Sequence, residues 1–391
     1  MEIQRELIEH SVFVIYFGAA VLGTIALYTR QVLPVVYIVL GALIGPGGFK
    51  LIPELTLIED LAHIGIIFLL FLLGIDLYPQ KLLKIFQSVS LVTLLSSVIF
   101  FCCGFGVAIV FGFALSEAVI TGIATGFSST IIGIKLLPTT ALHHRHIGEL
   151  VIGILLLQDL LAIIALIVIE GIGKAAGLAS AVLVPMITLP VFVAITFALE
   201  VYVIRRLLGR FEQIREYIFL VTIAWCLSLG QLADILGLSK EIGAFVAGVA
   251  LAASPIARYI AERLHAIRDF FMVLFFVAIG AYFDASAFTV VVIPAIVLAA
   301  LVLALKPITY RYLLGLVNEK KTTCWEAGFR LGQLSEFSVL IVFLALASDT
   351  IGKDAANFIL IATVLTFVVT SYLIVFRYPT PVAVSERLRR D

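Results

Sequence analysis

Apolar residues run through this chain in blocks of about twenty, separated by short stretches that hold most of the charge. About 20 such residues are needed to cross the hydrocarbon of a bilayer as a helix, so each block predicts one membrane span. We place about thirteen of them, near 11–28, 33–46, 61–77, 89–113, 117–137, 147–169, 178–204, 216–237, 241–254, 270–284, 286–316, 324–348 and 355–377. Some are visibly short or interrupted by Gly and Pro. The fold class predicted is an all-α polytopic membrane protein.

Two pairs of blocks resemble each other at a fixed distance. IIFLLFLLGIDL (66–77) matches MVLFFVAIGAYF (272–283), which sets Gly74 against Gly280, and VLGALIGP (39–46) matches VAGVALAAS (246–254), which sets Gly41 against Gly248. The offsets, 206 and 207, correspond to seven spans. Seven is odd, so the second copy is inverted relative to the first, and inverted repeats with broken helices at the midplane are a transporter pattern. Two six-span copies and one linker span, the seventh, account for thirteen. The same offset pairs the fifth span, interrupted by Ser128, Ser129 and Thr130, with the twelfth, interrupted around Ser335 and Glu336. Such polar patches suit helices that unwind and cross. Ser and Thr also bond back to their own helix carbonyls, which would account for Ser128 but not for Glu336.

Composition sharpens this. Of 391 residues 62% are hydrophobic and only 13% charged, with a mean hydropathy of +1.18, a balance outside the range of soluble domains. Net charge is zero and no basic block is interleaved with aromatics, so nucleic acid is excluded as a partner. Cys102, Cys103, Cys226 and Cys324 lie in or beside apolar blocks without ligand spacing, and they read as packing residues. No metal motif, P-loop or haem ligand pair occurs, so neither an enzyme nor a resident cofactor is expected.

The basic residues set an orientation. Loops after odd-numbered spans hold nineteen of the 26 lysines and arginines and the opposite loops five, which places the N-terminus outside and the C-terminus in the cytoplasm. The acidic start, MEIQRELIEH, lacks the features of a cleaved leader, so the first span is expected to stay as an anchor.

Asp159 is the residue that narrows function most. It sits behind Gln158 in the run VIGILLLQDLLAIIALIVI, and a carboxylate at the centre of a membrane helix costs about 2.5–3.5 kcal/mol on insertion scales. Such an acid faces the protein interior and marks an ion or proton path, or else serves helix packing. A desolvated carboxylate with hydroxyls nearby holds an alkali cation or a proton, one at a time, which is the requirement for exchange. Lys306, before Pro307 in the eleventh span, either supports that site, facing the carboxylate and neutralising it when the site is empty, or snorkels to the interface. The loop carrying His143, His144 and His146 reads as polar loop, and Asp76 and Asp284 as span ends. Within transport, a cation channel or a proton-coupled symporter of a small solute stays open as the alternative, although no TVGYG-like filter string occurs.

The strings IGIIFLLFLLGIDL, GFSSTIIGIKLL, LLLQDLLAI, IGAFVAGVALAAS, LFFVAIGAYFD and GQLSEFSVL resemble, in order, the monovalent cation:proton antiporter-2 family, especially its Kef-type potassium/proton exchangers. The resemblance runs from about residue 35 to 345. It implies exchange of K⁺ or Na⁺ for H⁺, K⁺ favoured, with the cation at Asp159, Gln158 beside it, and Ser128, Ser129 and Thr130 in the unwound helix. Glu336, with Ser335, matches the acid of the GQxSEF string. The implied fold is sodium/proton antiporter-like: residues 1–377 form the membrane domain, with a core (89–169 and 286–377), a dimer domain (11–77 and 216–284) and a linker helix (178–204). A homodimer in a prokaryotic inner membrane follows, with a short cytoplasmic tail, 378–391. Two departures stand out. Gln158 takes the place of the first of two adjacent acids in electrogenic sodium relatives, which implies electroneutral exchange. The sequence also stops 14 residues after Arg377, before the cytosolic nucleotide-binding domain usual in Kef proteins, so control by nucleotides or glutathione through such a domain is not expected from these residues, and a separate cytosolic regulatory subunit stays open as a partner.

Overall fold

The computed structural model describes residues 2–52, 55–76, 79–137, 146–174, 178–211, 213–254, 256–281 and 288–380. His143, His144, Asp284 and the tail beyond Thr380 lie outside them.

The described residues are helical almost throughout: α1 Glu2–Thr29, α2 Leu33–Ile44, α3 Leu55–Asp76, α4 Pro79–Val110, α5 Leu115–Thr125, α6 Thr130–Lys135, α7 His146–Lys174, α8 Leu178–Leu199, α9 Arg215–Ile235, α10 Lys240–Ala252, α11 Ala257–Ala281, α12 Phe288–Leu316, α13 Lys321–Arg330, α14 Glu336–Ala347 and α15 Lys353–Arg377. Among the described residues seven stretches are long and apolar enough to cross a bilayer, and shorter apolar helices such as α2, α5 and α14 accompany them. The fifth and twelfth predicted spans are each split. α5 has 11 residues and rises about 16 Å, roughly half of a bilayer core about 30 Å thick. A break there falls near mid-depth.

The elements differ from hydropathy in two informative places. α11 starts at Ala257, well before the apolar run expected at 270–284, because its first turns are amphipathic: Ile260, Ala261 and Leu264 are buried while polar residues alternate with them. The linker span does not end as a regular helix. α8 passes through a π-helical turn, Glu200–Ile204, into Arg205–Arg210, and the buried Glu200 accepts both Nε and Nη2 of Arg205.

Contacts divide the chain into two compact units. The first comprises Met1–Tyr16, Leu51–Leu82 and Ile167–Ala278. Within it α3 and α10 cross at Gly74 and Gly248, where a side chain on Gly248 would run into the Phe71 carbonyl oxygen. Trp225 of α9 closes the other side of α10 by donating its indole N–H to Ala247 O at 3.1 Å.

The second unit comprises Phe17–Lys50, Leu83–Leu166 and Ile279–Asp391. α2 and the end of α11 cross here at Gly280, where a Cβ would run into the Ile38 carbonyl and lie 3.0 Å from Ala42 N. Gly280 is the repeat partner of Gly74, and Gly41, one turn from Ile38, is the partner of Gly248. Each crossing thus pairs a helix of one copy with a helix of the other. One apolar cluster joins α4, α7, α12 and α13 through Phe100, Ile154, Tyr310 and Ala327. Another joins α2, α6 and α15 through Val35, Ile132, Leu136 and Phe367. The two breaks belong to this unit.

Candidate functional site at two crossed helix breaks

Breaking a helix frees backbone groups that must be satisfied where no water is at hand. Residues 126–129 separate α5 from α6, and residues 331–335 separate α13 from α14. The freed carbonyls of each break find donors, largely from the other break or from polar side chains of α7 and α12. Gly126 O accepts Gln158 Nε2 at 3.3 Å and Leu331 O accepts Ser128 Oγ at 2.9 Å. Ser129 O accepts Gln333 Nε2 at 3.2 Å. Phe127 O and Gln333 O both accept Lys306 Nζ, at 2.5 and 2.8 Å. Freed amides are met in the same way: Ser128 N donates to Gln158 Oε1 at 3.2 Å, Thr130 N to Glu336 Oε1 at 3.1 Å, and Leu334 N to Thr366 Oγ1 at 3.1 Å.

The two shorter half-helices start on matching caps. Ser129 Oγ accepts Ile132 N before α6, and Ser335 Oγ accepts Phe337 N before α14. Serine at this position satisfies an amide that a helix start leaves orphaned. The caps are 206 positions apart, the offset of the glycine pairs.

Asp159 lies one residue beyond Gln158 on α7 and is fully buried. Thr130, the first residue of α6, donates its hydroxyl to Oδ1 at 3.1 Å and Oδ2 at 2.9 Å, straddling the carboxylate. The adjacent Gln158 side chain turns instead toward the first break and Tyr310, to whose hydroxyl its Nε2 donates at 2.9 Å. Amide and acid therefore divide the work. Gln158 holds the backbone and Asp159 is left with a single hydroxyl partner among the described residues.

Lys306 is fully buried, which rules out snorkelling. It does not pair with a carboxylate either, since among the described residues no acid lies within ion-pair distance of it. Its third donor goes to Ser128 Oγ at 3.2 Å, so all three ammonium hydrogens have acceptors on the breaks. The charge also lies 5.1 Å from the Phe100 ring centroid, within cation–π range. Pro307, next in sequence, interrupts the amide ladder of α12, and Gly328 of α13 packs against it so closely that a Cβ would meet Pro307 Cα at 2.8 Å.

All eight residues selected from sequence fall within this one network: Ser128, Ser129, Thr130, Gln158, Asp159, Lys306, Ser335 and Glu336. Others in it were not selected, Thr366 of α15 among them. Tyr310 is one turn from Lys306 on α12; Gln333 and Ser338 sit in the GQLSEFS string, with Ser338 Oγ donating to Ala124 O at 2.5 Å. Arg330, fully buried, ends α13. A charged residue inside an apolar block was the signal for Arg330. His146 starts α7 and its Nε2 lies 2.6 Å from Glu319 Oε1, so it is part of a polar surface contact rather than of the site.

Residues 14–376 match the family described as sodium/hydrogen exchanger, transmembrane. The chain is similar to K(+) efflux antiporter 5 of Arabidopsis thaliana, 30% identical over 95% of this chain and 67% of that protein. It is also similar to the glutathione-regulated potassium-efflux system protein KefC of Klebsiella pneumoniae, 29% identical over 92% of this chain and 59% of the relative. It thus spans only about 52–67% of the length of the potassium-efflux relatives. Among solved structures, the sodium proton antiporter MjNhaP1 from Methanocaldococcus jannaschii superposes with a TM-score of 0.75 at 18% identity, covering 95% of this chain and 96% of that one. That likeness establishes a shared fold.

Proposed function

This chain belongs to the transmembrane sodium/hydrogen exchanger family, and from that premise we propose that it exchanges a monovalent cation for H⁺ by alternating access, with Asp159 as the shared binding group. The observation that carries the reading is the isolation of Asp159. It is fully buried, its only hydrogen-bond donor among the described residues is the Thr130 hydroxyl, and the nearby cation, Lys306, is fully engaged elsewhere. A carboxylate in that position needs a proton or a cation to be neutral. Since one site serves both, loading one requires release of the other.

The relatives' names favour K⁺ over Na⁺ as the cation. Thr130 supplies an oxygen beside the carboxylate, a hard ligand suited to either alkali ion. Ser128, Ser129, Ser335, Glu336, Gln158 and Lys306 keep the two breaks crossed around that point. Kef-type likeness further supports a homodimer in a prokaryotic inner membrane, a core of 89–169 and 286–377 moving against a dimer domain of 11–77 and 216–284 with 178–204 as linker, and a cytosolic regulatory partner. The basic-residue asymmetry supports an N-terminus outside and a C-terminus inside.

Reconstitution into liposomes with a pH-sensitive dye inside tests the reading. Cation-dependent proton movement is expected with K⁺ or Na⁺, and its absence with both, in protein that is folded and inserted, would refute it. A series of alkali ions then assigns the cation.

A further inference from the structure

Arg330 is the largest fully buried side chain of the described residues, and the exchange reading gives it no task. Its guanidinium joins three separate parts of the second unit. Nε and Nη2 hold Glu326 Oε1, one turn back on α13, at 3.0 and 2.8 Å. Nη1 donates to Leu136 O at 2.9 Å, just past the end of α6. Nη2 also donates to Pro379 O at 2.8 Å, in the segment that leaves α15. Around it Arg377 lies over the Phe329 ring at 5.1 Å, and Phe329 meets Tyr378 at 5.8 Å between ring centroids. Thr380 is fully buried.

The geometry at α6 is what connects this cluster to Asp159. α6 is six residues long, too short to hold itself together, and each end is fastened by a residue flanking the second break. Glu336, first residue of α14, takes the amide of Thr130 at its start; Arg330, last residue of α13, takes the carbonyl of Leu136 at its finish. Thr130 and Leu136 are six positions apart, as are Glu336 and Arg330, so the two stretches run side by side in opposite directions. A guanidinium at the C-terminal end of a helix satisfies orphaned carbonyls and complements the dipole. Because that guanidinium is also bonded to Pro379, the exit segment and the far end of α6 share one fastener.

We propose that Arg330 is a positioning residue for the exchange site, and that it latches the exit segment Tyr378–Thr380 to α6, so that displacing this segment loosens Thr130 against Asp159. The proposal rests on the exchange reading for its transport consequence, but the latch is measurable without transport. It makes the end of α15 the point at which anything acting from the C-terminal side reaches the site.

The test compares the full chain with Arg330→Lys, Arg330→Gln and a chain truncated after Arg377, which removes the Pro379 acceptor without touching Arg330. Hydrogen exchange read by mass spectrometry over 130–137 reports the latch alone. Truncation and Arg330→Gln are each expected to speed exchange there about tenfold, the change expected for losing a charge-assisted hydrogen bond, with Arg330→Lys in between. In liposomes the cation concentration for half-maximal exchange and its pH profile should shift in the same direction for both, and the double change should shift no further than one alone. Unaltered amide exchange over 130–137 in the truncated chain would overturn the latch whether or not Arg330→Gln folds. Faster amide exchange with an unmoved pH profile and cation dependence would overturn the positioning role. Absence of exchange in the full chain, with the amide shifts present, would leave the latch standing and refute the exchange reading instead.

Discussion

Glu336 Oε1 accepts the backbone N–H of Thr130 at 3.1 Å, and the hydroxyl of the same Thr130 grips both oxygens of Asp159. An acid from one repeat thus fixes the residue of the other repeat that touches the buried carboxylate. The contact needs an acceptor, not a charge. Glu336→Gln should therefore retain most exchange in the dye assay, while Glu336→Ala leaves a buried amide unsatisfied, costing about 1–3 kcal/mol, and should raise the half-saturating cation concentration by about tenfold or more. Equal loss in both variants would mean that the Glu336 charge itself takes part.

Asp159→Asn is expected to abolish coupled exchange and leave the fold intact. Asn can still accept the Thr130 hydroxyl, but it neither releases a proton nor offers a negative charge. Removing a fully buried charge also removes its desolvation cost, so the melting temperature should be unchanged or higher. Full dye response in this variant would take Asp159 out of the mechanism, and lost transport with a sharply lower melting temperature would make it a structural acid.

Lys306→Ala should be among the most destabilising substitutions in the second unit. It strips donors from Phe127 O, Gln333 O and Ser128 Oγ at once, in a place water does not reach. Ser128 Oγ keeps Leu331 O, but the two carbonyls are orphaned at about 1–3 kcal/mol each, so the total is about 2 kcal/mol or more before the lost packing against Phe100 is considered. Thermal unfolding in detergent measures it. A melting temperature within a degree or so of the parent would contradict the network described above.

Gly248→Ala and Gly280→Ala test the paired crossings. The first would push a methyl against the Phe71 carbonyl and the second against the Ile38 carbonyl, both backbone groups that cannot rotate away. Overpacking of this kind costs about 1–3 kcal/mol or more, and losses of similar size are expected at the two positions because an added Cβ would meet a backbone carbonyl oxygen equally closely at each. By contrast Gly106, with nothing within 4 Å of an added Cβ, should accept Ala freely. Unequal losses at positions 248 and 280 would separate the two crossings.

How much of this was legible beforehand follows from what hydropathy and spacing encode. The spans were readable because apolar length is the membrane's own criterion, and the breaks because Ser128–Thr130 and Ser335–Glu336 interrupt runs that are otherwise apolar. Asp159 and Lys306 stood out for the same reason. What the pattern did not carry was partnership. Lys306 holds backbone carbonyls of two breaks rather than an acid, and no local property of VLALKPITY distinguishes those outcomes. Arg330 was visible as a charge but not as a fastener, since its acceptors Leu136 and Pro379 are backbone groups 194 and 49 positions away. Carbonyls have no sequence signature. The early start of α11 was missed because its first turns alternate polar and buried residues, which a hydropathy window averages out.

The charge moved per cycle depends on how many groups titrate in the site. Electrogenic relatives with two adjacent acids have a second carboxylate where this chain has Gln158, whose amide is committed to Gly126 O, Tyr310 and the Ser128 amide and has no proton to trade. Two further groups could titrate: Lys306 spends all three hydrogens on fixed acceptors, two of them carbonyls of the breaks, and Glu336 serves the Thr130 amide as a standing acceptor, a role that asks for no change of protonation through the cycle. That leaves Asp159 to trade one H⁺ for one monovalent cation with no net charge crossing. Exchange should then be electroneutral, insensitive to an imposed membrane voltage in liposomes and silent on a supported membrane after a cation jump. A sustained, pH-dependent transport current that Asp159→Asn abolishes would mean that a second group titrates with the cycle. Lys306→Gln would identify that group: loss of the current with exchange retained would assign it to the lysine, and an unchanged current would assign it to Glu336.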